Sequence, residues 1–238
     1  MPPAANTTRS SSSNPHKLRG NQALKHVQWQ AAYDKLEEYV LTSEPNTLTY
    51  YFGIPMEFAS DHARTNAILA FESYKSRSDL YDVHFQSDVM QGDFLPKALP
   101  AMSTNLDVTH FSAVGGFLDR TGRKTECGVI QDVRIRCVDA AKRREFLGAL
   151  KKLCDQVETE QGRAAGKGDD GDVLTYLGLQ SLDNQECARI FSRYKDRETW
   201  ESWTRHSLVS EFWESVKPSV ASMESRAYVP NGKGWLWK

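Results

Sequence analysis

The 238-residue chain carries 30 Lys and Arg against 31 Asp and Glu, a net charge of −1, so no basic field points to nucleic acid or to an anionic membrane surface. Its 39% apolar and 11% aromatic content can fill real cores, and the length suits two domains of about 110 residues. The apolar runs fall far short of the roughly 20 residues of a membrane span, the N-terminus lacks an apolar signal-peptide core, and Cys127, Cys137, Cys154 and Cys187 have no Cys-x-x-Cys spacing. A cytoplasmic protein with reduced thiols, in contact with neither nucleic acid nor membrane, is expected.

Residues 1–20 are rich in Ser, Pro and Asn and read as a disordered tail. The basic, acid-free start resembles a weak transit peptide, but no amphipathic arginine pattern accompanies it. Trp29, Tyr33, Leu36 and Val40 then mark one face of a helix over 22–41, which Pro45 ends. Strands follow at 47–54 and 66–74. A second helix at 78–90 is predicted to turn Leu80 and Val83 inward, and a strand at 107–117 carries His110 beside Val108 and Ser112. Gly115-Gly116 and the polar run 119–124 suggest a linker.

The second half opens on a strand at 127–137 and a helix N-capped by Asp139, with Phe146, Leu150, Leu153 and Val157 on its inner face. Gly162–Gly171 reads as a loop. Its G-x-G-x-x-G spelling follows a helix and precedes a strand, the reverse of a dinucleotide fingerprint. A hairpin spans 172–197, then comes a helix with Trp200, Trp203, Leu208 and Phe212. A last strand at 222–229 and a tail with Trp235 and Trp237 close the chain.

The halves repeat. Leu48-Thr49-Tyr50 matches Leu174-Thr175-Tyr176, and Tyr74-Lys75 matches Tyr194-Lys195. The offset is 117 at the first helices, 126 at the second strands and 120 at the third strands and second helices, changing only in loops, as duplication predicts. At the first offset, 129–137 maps to Ser12–Gly20, which is no strand. The first copy is therefore expected to lack its leading strand, with Trp235-Leu236-Trp237 as the candidate to cover that edge.

Each copy reads strand, helix, strand, strand, helix, strand: an α+β layer whose second sheet face also needs burial. The element order, the E-P-N-T-L-T-Y segment (Glu44–Tyr50) and the F-x-R-Y-K-D-R-E-x-W segment (Phe191–Trp200) resemble the antibiotic biosynthesis monooxygenase domain of the dimeric α/β-barrel superfamily. The resemblance implies two fused ferredoxin-like domains (21–118 and 126–238, joined by 119–125) forming an intramolecular barrel, as a monomer with an internal pseudo-two-fold or as a homodimer. It also implies a cofactor-independent monooxygenase acting with dioxygen on an aromatic or polyketide-derived small molecule of secondary metabolism. The alternatives within that family are a non-catalytic binding or scaffold protein, a lyase or cyclase, and a haem-binding member.

The residues add candidates without deciding among these. Six histidines show no zinc-binding spacing, so neither a metal site nor a cofactor is expected. Cofactor-free oxidation needs an apolar aromatic cavity, a proton acceptor and donors for an oxyanion. His84, His110 and His206 are candidate catalytic groups. Tyr50, Tyr74, Tyr176, Tyr194, Trp200 and Trp203 are candidate substrate-binding residues. Each has a plainer reading beside it: the repeated tyrosines and the helical tryptophans as core, His110 as a structural histidine.

Overall fold

The computed structural model describes residues 6–10, 22–65, 67–102, 106–119, 126–165 and 171–237. The chain divides into two compact units, one comprising 1–110 with the C-terminal 231–238, the other 111–230. Both are α+β, with antiparallel sheets and helices packed on them, in the ferredoxin-like manner.

The second unit has the full set. Strand β5 (Val129–Cys137) leads into helix α3 (Ala140–Ala165), then β6 (Val173–Ser181), β7 (Cys187–Tyr194), helices α4 (Arg197–Thr204) and α5 (Ser207–Val216), and β8 (Val220–Trp235). Antiparallel pairings order the strands β8-β5-β7-β6. Residues Phe111–Leu118 of β4 (Val108–Leu118) add a further strand beside β6. Asp139 caps α3 as expected, its carboxylate accepting from the Lys142 N–H at 2.7 Å. Phe146, Leu150, Leu153 and Val157 are all buried, which is what a stripe at i, i+4, i+7 and i+11 produces. The helix continues through Gly162 to Ala165 where a loop was expected. One glycine costs a helix only about 1 kcal/mol, and Arg163, Ala164 and Ala165 favour it. The expected single helix with Trp200 through Phe212 is instead two. His206 stands between them in extended conformation, with φ −62° and ψ 143°, as the N-cap of α5.

In the first unit, helix α1 (Gln22–Ser43) packs Tyr33, Leu36 and Val40 into the core. Strands β2 (Thr47–Pro55) and β3 (Leu69–Tyr74) pair antiparallel, with Tyr50 opposite Glu72. The leading strand exists, contrary to expectation. It is β1 (Asn6–Ser10), antiparallel to β3, and Asn6 faces Tyr74 as Val129 faces Tyr194 in the other unit. It lies upstream of the segment that a fixed offset selects, because residues 11–21 lengthen the connection to α1. A backbone ladder requires only N–H and C=O groups, so a short polar segment with two β-branched threonines can form it. The C-terminal segment does not take that place. It runs beside β2, where the Thr49 hydroxyl donates to the Leu236 carbonyl at 3.1 Å, and Trp235 joins the core around Tyr33, Tyr50 and Phe52.

The expected helix at 78–90 is two wide π-helical turns, Asp79–His84 and Val89–Phe94, followed by the short helix α2 (Leu95–Ala98). Leu80 is buried as predicted, but Val83 is 44% exposed and His84 takes the inner position. The wider turn carries i+3 off the face and keeps i+4 on it, so the i, i+3 pair expected of an α-helix is not the buried one. The linker at 119–125 lies outside the described residues from 120 onward, as does most of the tail at 1–20. No described helix is long and apolar enough to cross a membrane.

Candidate functional site

The antiparallel pairing of the second unit places Tyr176 opposite Ser192 and Gln131 opposite both Ser192 and Ala227. Alternation along each strand then sends Gln131, Val133, Ile190, Tyr194 and Ser225 to one sheet face. Helices α4 and α5 cover that face, and between helix and sheet lies a cavity of about 130 Å³. Tyr176, Tyr194, Trp203 and Trp213 supply its aromatic walls. Gln131, Ser225 and Thr204 supply the polar groups.

Those polar groups are ordered. The Tyr194 hydroxyl donates to Gln131 Oε1 at 3.3 Å, and Gln131 Nε2 donates to Ser225 Oγ at 3.2 Å. On the helix side the Thr204 hydroxyl donates to the Glu201 carbonyl at 3.0 Å. Burial holds both phenols, Tyr176 and Tyr194, well above the ordinary tyrosine value. They are neutral donors at physiological pH, not bases. The opposite face of the same strands is charged. Arg189 forks onto Asp132, and Arg193 Nη1 lies 2.6 Å from Asp119 Oδ2, all four side chains being buried. Pairing keeps that face in one arrangement, since an isolated buried charge would be far costlier. Burial pushes the Cys137 thiol up to about 11 and Cys154 to about 12, so neither is a thiolate nucleophile near neutral pH.

The sequence candidates thus fall into separate groups. Tyr176, Tyr194 and Trp203 come together around the cavity. Trp200 is only partly buried in α4 and does not line it. His206 stacks behind Trp203, ring centroids 4.6 Å apart, with Nε2 3.4 Å from Glu160 Oε1. It touches the cavity wall from outside.

Tyr50, Tyr74 and His84 gather in the first unit. His84 Nδ1 lies 3.0 Å from both oxygens of Glu44, to which the Thr47 hydroxyl also donates at 2.7 Å. The Tyr74 hydroxyl donates to Glu72 Oε2 at 2.9 Å. Tyr50 sits against Tyr33, Phe52, His84 and Trp235 in a packed aromatic cluster. Both carboxylates and the imidazole are buried. Desolvation raises the Glu72 carboxyl above its ordinary value, against the opposing pull of His84 and of the Tyr74 hydrogen bond. His110 stands apart from this group. Its Nε2 lies 2.7 Å from the Tyr81 hydroxyl.

Sequence reading missed Glu44, Glu72, Gln131, Thr204, Trp213 and Ser225. Glu72 did leave a signal: it is the only charge in the run Ile68–Tyr74 and lies two residues before a candidate tyrosine, hence on its face. The others depend on contacts between residues distant in sequence. Among the described residues, no three His, Cys, Asp or Glu side chains converge in a metal-binding arrangement.

No family model and no curated protein matches the sequence. Solved structures do. A "putative monooxygenase" of Fusobacterium nucleatum superposes with a TM-score of 0.73 at 12% identity, covering 100% of both chains. A second protein so described, from Lactobacillus acidophilus NCFM, gives 0.69 at 12% identity over 98% of this chain and 97% of its own. An "anthrone oxidase-like protein" gives 0.64 at 10% identity over 99% and 94%. The class this defines is one of fold: a tandem, ferredoxin-like α+β chain. The resemblance carried by Glu44–Tyr50 and Phe191–Trp200 holds at that level.

Proposed function

We propose that the protein is a monooxygenase-like enzyme that oxidises a phenolic aromatic with dioxygen in the cavity of the second unit, without an organic cofactor or a metal. The observation that carries this reading is the aromatic enclosure of Tyr176, Tyr194, Trp203 and Trp213, edged by Gln131 and Ser225. An electron-rich phenol is itself the reductant, losing its proton as its electrons pass to dioxygen. In the simplest balance a CH₂ group and O₂ give C=O and H₂O, and the substrate supplies both hydrogens and all the electrons. The protein then has to hold the ring, shield it from water, and place a donor where negative charge develops on oxygen. Tyr176, a neutral phenol on the wall, is the candidate for the last need, since the Tyr194 hydroxyl is already given to Gln131. His206, through its stack on Trp203, is a positioning residue for the wall. His84 and His110 have no part in this route.

The test is dioxygen uptake with a panel of phenols, measured without added flavin and in the presence of a chelator. Turnover that falls at least about 100-fold in Trp203→Ala supports the reading. Ligand binding without dioxygen uptake by any phenol would make the chain a binding protein of the same fold instead.

A further inference from the structure

Several features of the cavity narrow what can occupy it, and the inference rests on the cavity being the substrate site proposed above. The first is size. An apolar cavity of about 150 Å³ holds one benzene ring. The space here, about 130 Å³, is filled by a single ring, and a fused three-ring system would extend past its walls toward the exposed Met223 and Ser225. The second is charge. Among the described residues lining it, none is an Asp, Glu, Lys, Arg or His. An ionised occupant would lose its hydration and gain no counter-charge. A carboxylate, a phosphate or an ammonium group held against these walls is therefore disfavoured.

The third feature is the direction of the hydrogen bonds. Ser225 Oγ accepts from Gln131 Nε2, so its own proton remains available to donate. Thr204 has given its proton to the Glu201 carbonyl, so its oxygen offers lone pairs only. The sheet wall thus presents a donor and the helix wall an acceptor. A matching ligand brings an oxygen acceptor to the first and a hydroxyl donor to the second.

The geometry points to an uncharged, single-ring phenol carrying an oxygen acceptor across the ring as the substrate class of this site, with Ser225 receiving the acceptor and Thr204 the hydroxyl. Trp203 and Trp213 contribute ring contact, which is indifferent to substitution pattern. Discrimination therefore falls to the two hydroxyl residues, each of which adds one hydrogen bond only when the ligand brings its match.

Calorimetric titration with four probes tests this independently of any turnover. At mildly acidic pH, 4-hydroxybenzaldehyde is expected to bind. Its analogue 4-methylbenzaldehyde, which lacks the donor, should bind about 5- to 10-fold more weakly, the effect of one hydrogen bond. The charged 4-hydroxybenzoate and the three-ring anthrone should bind at least about 10-fold more weakly than the first probe. Thr204→Val, close in shape, should erase the difference between the two aldehydes. Ser225→Ala should weaken both aldehydes alike. Circular dichroism of each variant confirms folding before titration. Anthrone or the benzoate binding as tightly as 4-hydroxybenzaldehyde overturns the inference, and so does an aldehyde difference that survives in Thr204→Val. Binding in the expected order with no dioxygen uptake leaves the ligand class standing and removes the oxygenase reading instead.

Discussion

Tyr50, Glu72, Tyr74 and His84 in the first unit occupy the repeat positions that Tyr176, Ser192, Tyr194 and Thr204 hold in the second. The two tyrosines of each set are retained, and Tyr50 faces Glu72 across the ladder as Tyr176 faces Ser192. What differs is the bulk and charge of the other two. Glu72 and His84 fill their sites and tie into Glu44, Thr47 and Tyr74. Serine and threonine are smaller and uncharged, and a cavity opens where Thr204 stands. One fold, repeated, thus carries a buried ionisable cluster in one copy and a neutral, cavity-lining set in the other. The difference shows how little sequence change separates a core from a pocket when the backbone is already fixed.

The comparison breaks most severely at the backbone the two units share. Gly116 and Gly234 have φ of 96° and 81°, and a Cβ on either would lie 1.8 Å from a carbonyl oxygen, that of Tyr176 and of Tyr50 respectively. Each unit seats a positive-φ glycine on the main chain of its repeated tyrosine. Gly116→Ala and Gly234→Ala are each expected to destabilise by more than about 3 kcal/mol, from left-handed strain plus a backbone clash that no side-chain motion relieves. Urea unfolding of the two variants measures this. If one substitution is tolerated, the corner is not used alike in the two units.

The parts of this picture that were legible in the sequence are local or repeated. The helix faces of Tyr33-Leu36-Val40 and Phe146-Leu150-Leu153-Val157, the Asp139 cap and the paired tyrosines follow from period and spacing alone. The Glu44–His84 contact joins residues 40 positions apart, and Gln131–Ser225 joins residues 94 apart. No periodicity encodes such pairs; they arise from strand register and from the packing of helix on sheet. Strand β1 was hidden because Asn6–Ser10 has no apolar alternation to announce it. His84 is a candidate by residue type, but the partner that gives it a structural role, Glu44, stands out in the sequence only as the start of the Glu44–Tyr50 segment, with nothing there to link the two.

His84→Ala sharpens the contrast next. It removes the imidazole from two oxygens of a buried carboxylate and leaves space in a packed aromatic cluster. A loss on the order of 3 kcal/mol is expected, from the broken buried pair together with the lost packing. Ligand affinity in the cavity of the second unit should stay within about 2-fold of wild type under folding conditions. Calorimetric unfolding and probe titration, run on the same sample, separate the two effects. A fall in turnover beyond the folded fraction would return His84 to the chemistry and erase the division of labour between the units.

The smallest effect concerns Glu72, and its sign is diagnostic. Desolvation raises its carboxyl above the ordinary glutamate value of 4.5, Glu44 adds to the rise, and His84 and the Tyr74 hydroxyl oppose it. The folded state then holds this proton at pH values where the unfolded chain has released it, and stability falls with pH wherever the native state binds the greater number of protons. The contribution is complete below pH 4.5 and is lost as pH rises through the folded value. Glu72→Gln keeps a carbonyl oxygen to accept from Tyr74 and cannot ionise. Its unfolding midpoint should therefore be flatter than that of wild type as pH is raised from 4.5 toward neutrality, and higher at the upper end of that window. Ser192→Ala, at the matching neutral position of the second unit, should leave the pH slope unchanged. A wild-type stability that climbs through this window, or a Glu72→Gln protein that keeps the wild-type slope, would show that the first unit's charge is not what distinguishes its interior from the second's.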